Sequence, residues 1–184
     1  KGLIPALKNE EIDLIIAGMS PTSERLESID FTSGYYRSTH VVLVSNNSTY
    51  KNAKSLSDLS GAKIAGQSGT IYADLVPQAV EAGAIAGVDL STVSALVNQV
   101  KNGVLDGTIL EEPVAIGLTK ASSDLAYIKF EEGKGFNVSD DDALVAIGVR
   151  KGYELTSNIN DILNGITNDA RNELMLDAVN KNAE

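Results

Sequence analysis

Apolar and polar residues alternate along this chain in blocks whose lengths are typical of strands and helices. Two apolar runs, at 39–44 and 143–149, have the length of buried strands. Between them, the apolar residues of 92–102 recur at helical spacing and predict a helix with one apolar face. Because strand and helix patterns follow one another for most of the length, the sequence predicts an α/β fold.

The other predicted elements are shorter. Pro113 lies where the first turn of a helix tolerates proline, and the polar segment 46–54 is typical of a connector. The shorter predicted strands, or extended pieces, are at 13–17, 28–31, 63–65 and 108–110. The predicted helices are a short one through Leu7, one that begins near Thr70, and two closing helices at 155–166 and 170–179.

The two long apolar strands enclose a middle block of α/β units, which predicts a lobe inserted into another lobe. We expect residues 1–44 and 146–184 to form parts of an outer lobe and 45–145 to form the inserted one. The strands around Val42 and Ala146 are expected to run side by side between the lobes.

Composition excludes several classes of function. The net charge of −10 argues against a nucleic-acid partner, which needs a basic face, and the surplus acid mainly promotes solubility. Without cysteine there is no disulfide, zinc–thiolate site or cysteine nucleophile. The run Asp140–Asp142 lacks the spacing of a calcium loop and is interpreted as a solvated connector, so no metal or cofactor is predicted.

The chain opens at Lys1 on a helix-like apolar pattern that is already under way. We therefore expect a fragment or a processed chain. Any signal peptide or lipid-anchored cysteine is expected upstream of the sequence, and composition alone leaves the compartment open.

A hydroxyl-rich loop, 17–25, follows the predicted strand 13–17 at the sheet edge where α/β proteins bind ligands. Arg25 at its end has a planar guanidinium suited to gripping a carboxylate through two hydrogen bonds. A surface arginine paired with Glu24 or Glu27 is the alternative, and this segment leaves both open.

Two further segments lie at strand ends. The turn 66–70 precedes a helix, where free N–H groups favour an anion, although Thr70 is equally explained as a helix cap. Glu111 and Glu112 end the strand 108–110, and one carboxylate there is suited to an ammonium group. Two solvated acids at a helix N-terminus are the simpler interpretation of that pair.

Aromatic residues and the histidine give weaker signals. His40 lies within a strand pattern and is interpreted as structural, since no second ligand or nucleophile is near it in sequence. Tyr35 and Tyr36 are candidates to line a cleft, although adjacent aromatics more often divide between core and surface.

Taken together, these segments resemble the family 3 bacterial solute-binding proteins, the polar-amino-acid receptors of ABC transporters. The matching segments are 2–7, 12–25, 29–31 with Tyr35-Tyr36, 55–61, 67–70 and 111–115. The resemblance implies a type II periplasmic-binding-protein-like clamp of two lobes, outside the cytoplasm, that binds a free polar amino acid and delivers it to a membrane permease. It also implies anchoring through an upstream segment, as in a lipoprotein.

In that family the residue at Arg25 binds the α-carboxylate, with help from Thr70. Groups at Gly18 and Ser20 and an acid at Glu111 hold the ammonium. The family more often has aspartate at this last position. The implied ligand-binding set is Gly18, Ser20, Arg25, Gln67, Thr70 and Glu111.

Family members begin with a strand, a helix and another strand that have no counterpart here, so the first lobe is expected to be incomplete. The sheet edge left exposed predicts an oligomer or a swapped assembly. Two other functions remain as alternatives to transport: a dehydratase-type enzyme, which needs a proton donor such as Glu112 or His40, and a sensory domain on the same clamp.

Overall fold

The computed structural model describes residues 2–139 and 143–181. The chain folds into two compact units, one comprising Lys1–Ser38 and Val138–Met175 and the other Thr39–Asn137 and Leu176–Glu184. Each unit has its own sheet. We refer to them as the first and second units.

Seven α-helices and nine strands have described bounds. The helices are α1 (Leu3–Lys8), α2 (Ser23–Ser28), α3 (Ile71–Glu81), α4 (Val93–Lys101), α5 (Glu112–Ala121), α6 (Thr156–Asn164) and α7 (Asn168–Lys181), with a 3-10 turn at Leu56–Leu59. The strands are β1 (Ile15–Met19), β2 (Asp30–Phe31), β3 (Tyr36–Arg37), β4 (His40–Ser45), β5 (Lys63–Ala65), β6 (Ile85–Ala86), β7 (Gly107–Glu111), β8 (Leu125–Ile128) and β9 (Leu144–Val149).

In the first unit, β9 is the central strand. It pairs antiparallel with β1 along an irregular register and also with β2 and β3. A small apolar cluster of Leu7, Ile15 and Ile29 packs beneath it. By contrast, α6 has no buried residue, and Ile16 on β1 is 65% exposed.

The second unit contains a five-stranded sheet in the order β6-β5-β7-β4-β8. Strand β5 runs parallel to β6 and β7 because helices α3 and α4 lie in the connections. Strand β4 is antiparallel to β7 and β8. This sheet places the carboxyl ends of β5 and β7 at one edge, together with the start of β4.

The two faces of this sheet are covered by different helices. Val41, Leu43 and Leu110 pack in one cluster with the buried residues of α4 and with Ala115 of α5. Alternate residues of β4 and β7 point to the other face, because side chains alternate along a strand. Tyr72 in the first turn of α3 contacts His40 there.

Some expectations about the elements are wrong. The strands around Val42 and Ala146 do not form a pair: β4 lies between β7 and β8, and β9 pairs with β1, β2 and β3. Strand β1 begins two residues later than the predicted start at 13. The end of the predicted polar loop is helical, since the Thr22 hydroxyl accepts the Arg25 N–H and begins α2.

The compact units change at Thr39, Val138 and Leu176. The first two changes lie earlier along the chain than the predicted boundaries at 44/45 and 145/146, and the third falls inside the predicted outer-lobe segment 146–184. The cause is strand pairing: β4 belongs entirely to the second sheet, and β9 to the first. The predicted connector Asp140–Asp142 lies outside the described residues.

Candidate functional site

Three of the predicted site residues lie between the end of β1 and the first turn of α2 in the first unit: Gly18 within β1, Ser20 in the loop and Arg25 within α2. Gly18 has a φ of +61°, in the left-handed region that favours glycine. Ser20 is buried, with 5% of its surface exposed. Thr22 then begins α2, so the loop is fixed at both ends by local backbone geometry.

Arg25 folds back on this loop. Its Nη1 donates a 2.8 Å hydrogen bond to the Ser20 carbonyl, and the side chain is half-buried. Neither Glu24 nor Glu27 forms an ion pair with it, and within the described residues no carboxylate lies within 4 Å of the guanidinium. The alternative of a surface arginine paired with one of these acids is therefore wrong. The remaining N–H donors of the planar Arg25 guanidinium are suited to binding a carboxylate.

In the second unit, Thr70 is the N-cap of α3. Its hydroxyl oxygen accepts the Tyr72 N–H at 3.3 Å and the hydroxyl donates to the Gln67 carbonyl at 2.8 Å. The loop lies tight against the helix: a Cβ on Gly66 would lie 2.3 Å from the Tyr72 carbonyl oxygen. The N–H groups of Tyr72 and Ala73 in the first turn of α3 are bonded to Thr70, so it is the positive end of the helix dipole that favours an anionic group here.

Gln67 braces this loop. Its Nε2 donates to the Ser91 carbonyl at 3.0 Å, and the adjacent Ser68 N–H donates to Leu90. The predicted ligand contact of Gln67 remains a prediction, and its amide nitrogen already has a structural role.

The neighbouring acids Glu111 and Glu112 have different surroundings. Glu112 forms a 2.8 Å ion pair with Lys129, and its N–H donates to the Thr39 carbonyl. Glu111 ends β7 and is the N-cap residue of α5, but its side chain does not cap that helix. It lies directly opposite His40 in the β4–β7 ladder.

Tyr72 has no signal in the sequence pattern, and the structural interpretation of His40 remains a prediction. The two rings lie edge to face, with centroids 6.0 Å apart, and His40 is 8% exposed. Only the β4–β7 register brings His40 opposite Glu111, and that register has no signal in the separate strand patterns.

Tyr35 and Tyr36 line a cavity of about 380 Å³ in the first unit. Arg171 also lines it and donates hydrogen bonds to the carbonyls of Gly34 and Leu163. These bonds link α7 to the segment just before β3 and to the end of α6. The cavity wall is therefore part of the packing of this unit.

Within the described residues, no group of three His, Cys, Asp or Glu side chains is arranged to hold a metal ion. Among the same residues, no helix combines the length and the apolar character needed to span a membrane.

A family model described as bacterial extracellular solute-binding proteins, family 3, matches residues 1–177. The chain belongs to this family. The match covers both units and all six predicted ligand-binding residues.

The relatives include two curated bacterial proteins. The arginine-binding extracellular protein ArtP of Bacillus subtilis is 32% identical over 88% of this chain and 60% of its own length. A probable histidine-binding protein of Campylobacter jejuni is 34% identical over 76% of the chain and 54% of its own length. The chain thus spans less than two thirds of either relative.

Solved structures share the fold, which is that of type II periplasmic amino-acid-binding proteins. The amino-acid ABC transporter substrate-binding protein AbpA of Streptococcus pneumoniae, bound to L-arginine, superposes with a TM-score of 0.80 at 24% identity, covering 100% of this chain and 74% of that one. An ancestral amino acid-binding protein described as a precursor of cyclohexadienyl dehydratase gives a TM-score of 0.73 at 24% identity, covering 94% and 71%. The fold therefore has both binding and enzymatic descendants.

Proposed function

We propose that the protein is the substrate-binding component of an amino-acid ABC transporter, acts outside the cytoplasm and binds a free polar amino acid without transforming it. Family membership supports the class, and the relatives named above are binding proteins. Delivery to a membrane permease and anchoring through an upstream segment are part of the proposal.

The observation that carries the proposal is the state of Arg25. Its guanidinium is half-buried and oriented by the Ser20 carbonyl, and no carboxylate among the described residues neutralises it. Burying a cation in this way is costly unless an anion completes the site. The α-carboxylate of an amino acid has the charge and the planar geometry to do so.

The other predicted residues receive complementary roles. Thr70 and the N-terminus of α3 assist the carboxylate through the positive end of the helix dipole, while the Thr70 hydroxyl donates to the Gln67 carbonyl. Glu111, with backbone or hydroxyl groups of Gly18 and Ser20, holds the ammonium. Gln67 keeps the 66–70 loop in place through Ser91.

The deciding experiment is calorimetric titration of the full-length gene product with L-arginine, L-histidine and L-glutamine. Losing one partner of a buried charge pair costs about 2–5 kcal/mol, so Arg25→Ala should weaken binding roughly 30-fold or more. Arg25→Lys should not restore it, because an ammonium group cannot replace the planar fork.

Arg150→Lys is the matched control. Arg150 is also partly buried, but its guanidinium bonds the Ile12 carbonyl and Asp13 instead. It should leave affinity near that of the wild type. Normal affinity in both Arg25 variants, with the fold intact, would contradict the proposal.

A further inference from the structure

His40 is the single histidine of the chain. It begins β4, and only 8% of its surface is exposed. It lies opposite Glu111 in the antiparallel ladder with β7. Directly opposed residues of such a ladder point to the same face, with Cβ atoms roughly 5 Å apart. The imidazole and the carboxylate are therefore neighbours.

The face on which they lie is the α3 face. Their chain neighbours Val41 and Leu110 both pack into the opposite cluster with α4 and α5. The ring of Tyr72, two residues after the Thr70 cap, contacts the imidazole edge to face, with centroids 6.0 Å apart. His40 thus lies beside the two elements of the second unit to which ligand contacts are assigned.

Within the described residues, charged and titratable groups lie around His40 on several elements. Glu111 faces it from β7 and Tyr72 from α3. Next to the end of β8, Lys129 is ion-paired with Glu112 on the α5 side. Along the chain, Arg37 is the nearest preceding charge. Glu111 is therefore the carboxylate directly opposite the imidazole across the ladder.

We propose that His40 is a positioning residue for Glu111 and makes the hold on the ligand's ammonium group sensitive to pH. This inference rests on the proposed function, which assigns the ammonium to Glu111. A neutral imidazole adds no charge beside this carboxylate. A protonated one places a second cation beside the same carboxylate, where it competes with the ligand.

The direction in which ligand affinity changes with pH follows from linkage between ligand binding and protonation of His40. Glu111 stabilises the protonated imidazole, and a bound ammonium group offsets that stabilisation, so binding lowers the pKa of His40. Affinity must then fall as pH falls through the interval between the two His40 pKa values. A one-unit change in that pKa on binding corresponds to about a tenfold loss of affinity at low pH.

The first test needs no ligand. Because the chain has one histidine, its imidazole NMR signals titrate without overlap from any other histidine. Glu111→Gln should lower the His40 pKa by about one unit, the size expected for a close opposite charge. The control Glu112→Gln, which removes an acid bound to Lys129, should change it much less. Equal shifts in the two variants, or none, would overturn the inference.

The second test is calorimetry with L-arginine and L-glutamine at pH 5.5 and 7.5. The wild type should bind more weakly at pH 5.5, and His40→Gln, which keeps a hydrogen-bonding side chain that does not titrate, should remove most of that difference. An unchanged pH dependence in His40→Gln overturns the inference while leaving the proposed function intact. Failure of the wild type to bind either amino acid contradicts the proposed function instead, and the NMR titration still decides whether His40 senses Glu111.

Discussion

At the scale of single residues, Thr70 and Thr92 both cap helices, and comparing them distinguishes an effect on ligand binding from an effect on stability. Thr70 caps α3 and Thr92 caps α4, each accepting an N–H of the first turn, at 3.3 and 3.2 Å. Replacing such a cap by alanine costs about 1 kcal/mol. Only Thr70 is assigned to the ligand.

We therefore expect Thr70→Ala and Thr92→Ala to lower the free energy of unfolding by similar amounts, measured by urea denaturation without ligand. Calorimetry should then show a loss of amino-acid affinity in Thr70→Ala alone. If Thr92→Ala weakens binding equally, the effect of Thr70 is mediated by helix stability and its ligand role is refuted.

Asp30 gives the first unit an acid-sensitive contact. Its carboxylate accepts the Gly152 N–H at 2.8 Å and pairs with Lys151 at 2.9 Å, and these contacts hold the pKa of Asp30 below its ordinary value of about 4. A carboxyl group with a depressed folded-state pKa contributes stability above its unfolded pKa and loses it as pH falls through the folded pKa. The contribution of this largely exposed pair is small and sensitive to salt.

Asp30→Asn should accordingly reduce the Tm near neutral pH and have less effect below pH 4, where the wild-type carboxyl is protonated. Thermal unfolding across this pH range in low salt is the measurement. A difference between wild type and variant that grows on acidification would contradict this assignment.

At the scale of elements, the apolar runs at 39–44 and 143–149 predicted β4 and β9, because both strands are buried along nearly their whole length. The short strands β3 and β6, the edge strand β8 and the helix α2 were missed. Two-residue strands carry no periodicity, and β6 is exposed. Their existence depends on pairing partners that are distant in sequence.

The candidate site also has some features that the sequence predicts and others that depend on tertiary packing. The loops ending at Arg25 and Thr70 follow strands, so their positions at strand ends were visible in the sequence. The neighbourhood of Glu111, His40 and Tyr72 was not, because it depends on the β4–β7 register and on the packing of α3. Which of the two adjacent acids is paired with Lys129 was equally hidden.

Two glycines test how closely the elements of the second unit pack. A Cβ on Gly107 at the start of β7 would lie 2.6 Å from Val42 Cγ1, inside the core of the sheet. Gly117 in the middle of α5 would place its Cβ in open space. Overpacking a core typically costs about 1–3 kcal/mol, whereas Gly→Ala within a helix stabilises by about 0.5–1 kcal/mol.

Gly107→Ala should therefore lower the free energy of unfolding, and Gly117→Ala should raise it, in matched urea titrations. A neutral Gly107→Ala would mean that β4 and β7 separate easily at this position. The close approach of the two strands would then have no energetic consequence.

At the scale of the whole molecule, the two units bury apolar surface in different ways, and both leave apolar side chains exposed, with Val88 of the second unit 75% exposed. The second unit has a continuous cluster between its sheet and α4 and α5. In the first, α6 has no buried residue, and Ile162 and Leu174 are 69% and 62% exposed. Exposed apolar surface of this kind marks sites of association.

Strand β1 is the place where we expect the 184-residue chain to associate with itself. Among the described residues its one neighbouring strand is β9, and Ile16 is 65% exposed. An edge strand without a charged side chain is a template for pairing with another chain.

Burying one isoleucine contributes about 1.5–3 kcal/mol, so Ile16→Lys should weaken self-association roughly tenfold or more in light scattering. Val104→Lys, at a half-exposed apolar residue of the second unit, is the control and should have little effect, because it leaves the pairing edge of β1 unchanged. A wild-type chain that stays monomeric at high concentration, or equal effects of both substitutions, would show that β1 is not the surface of association.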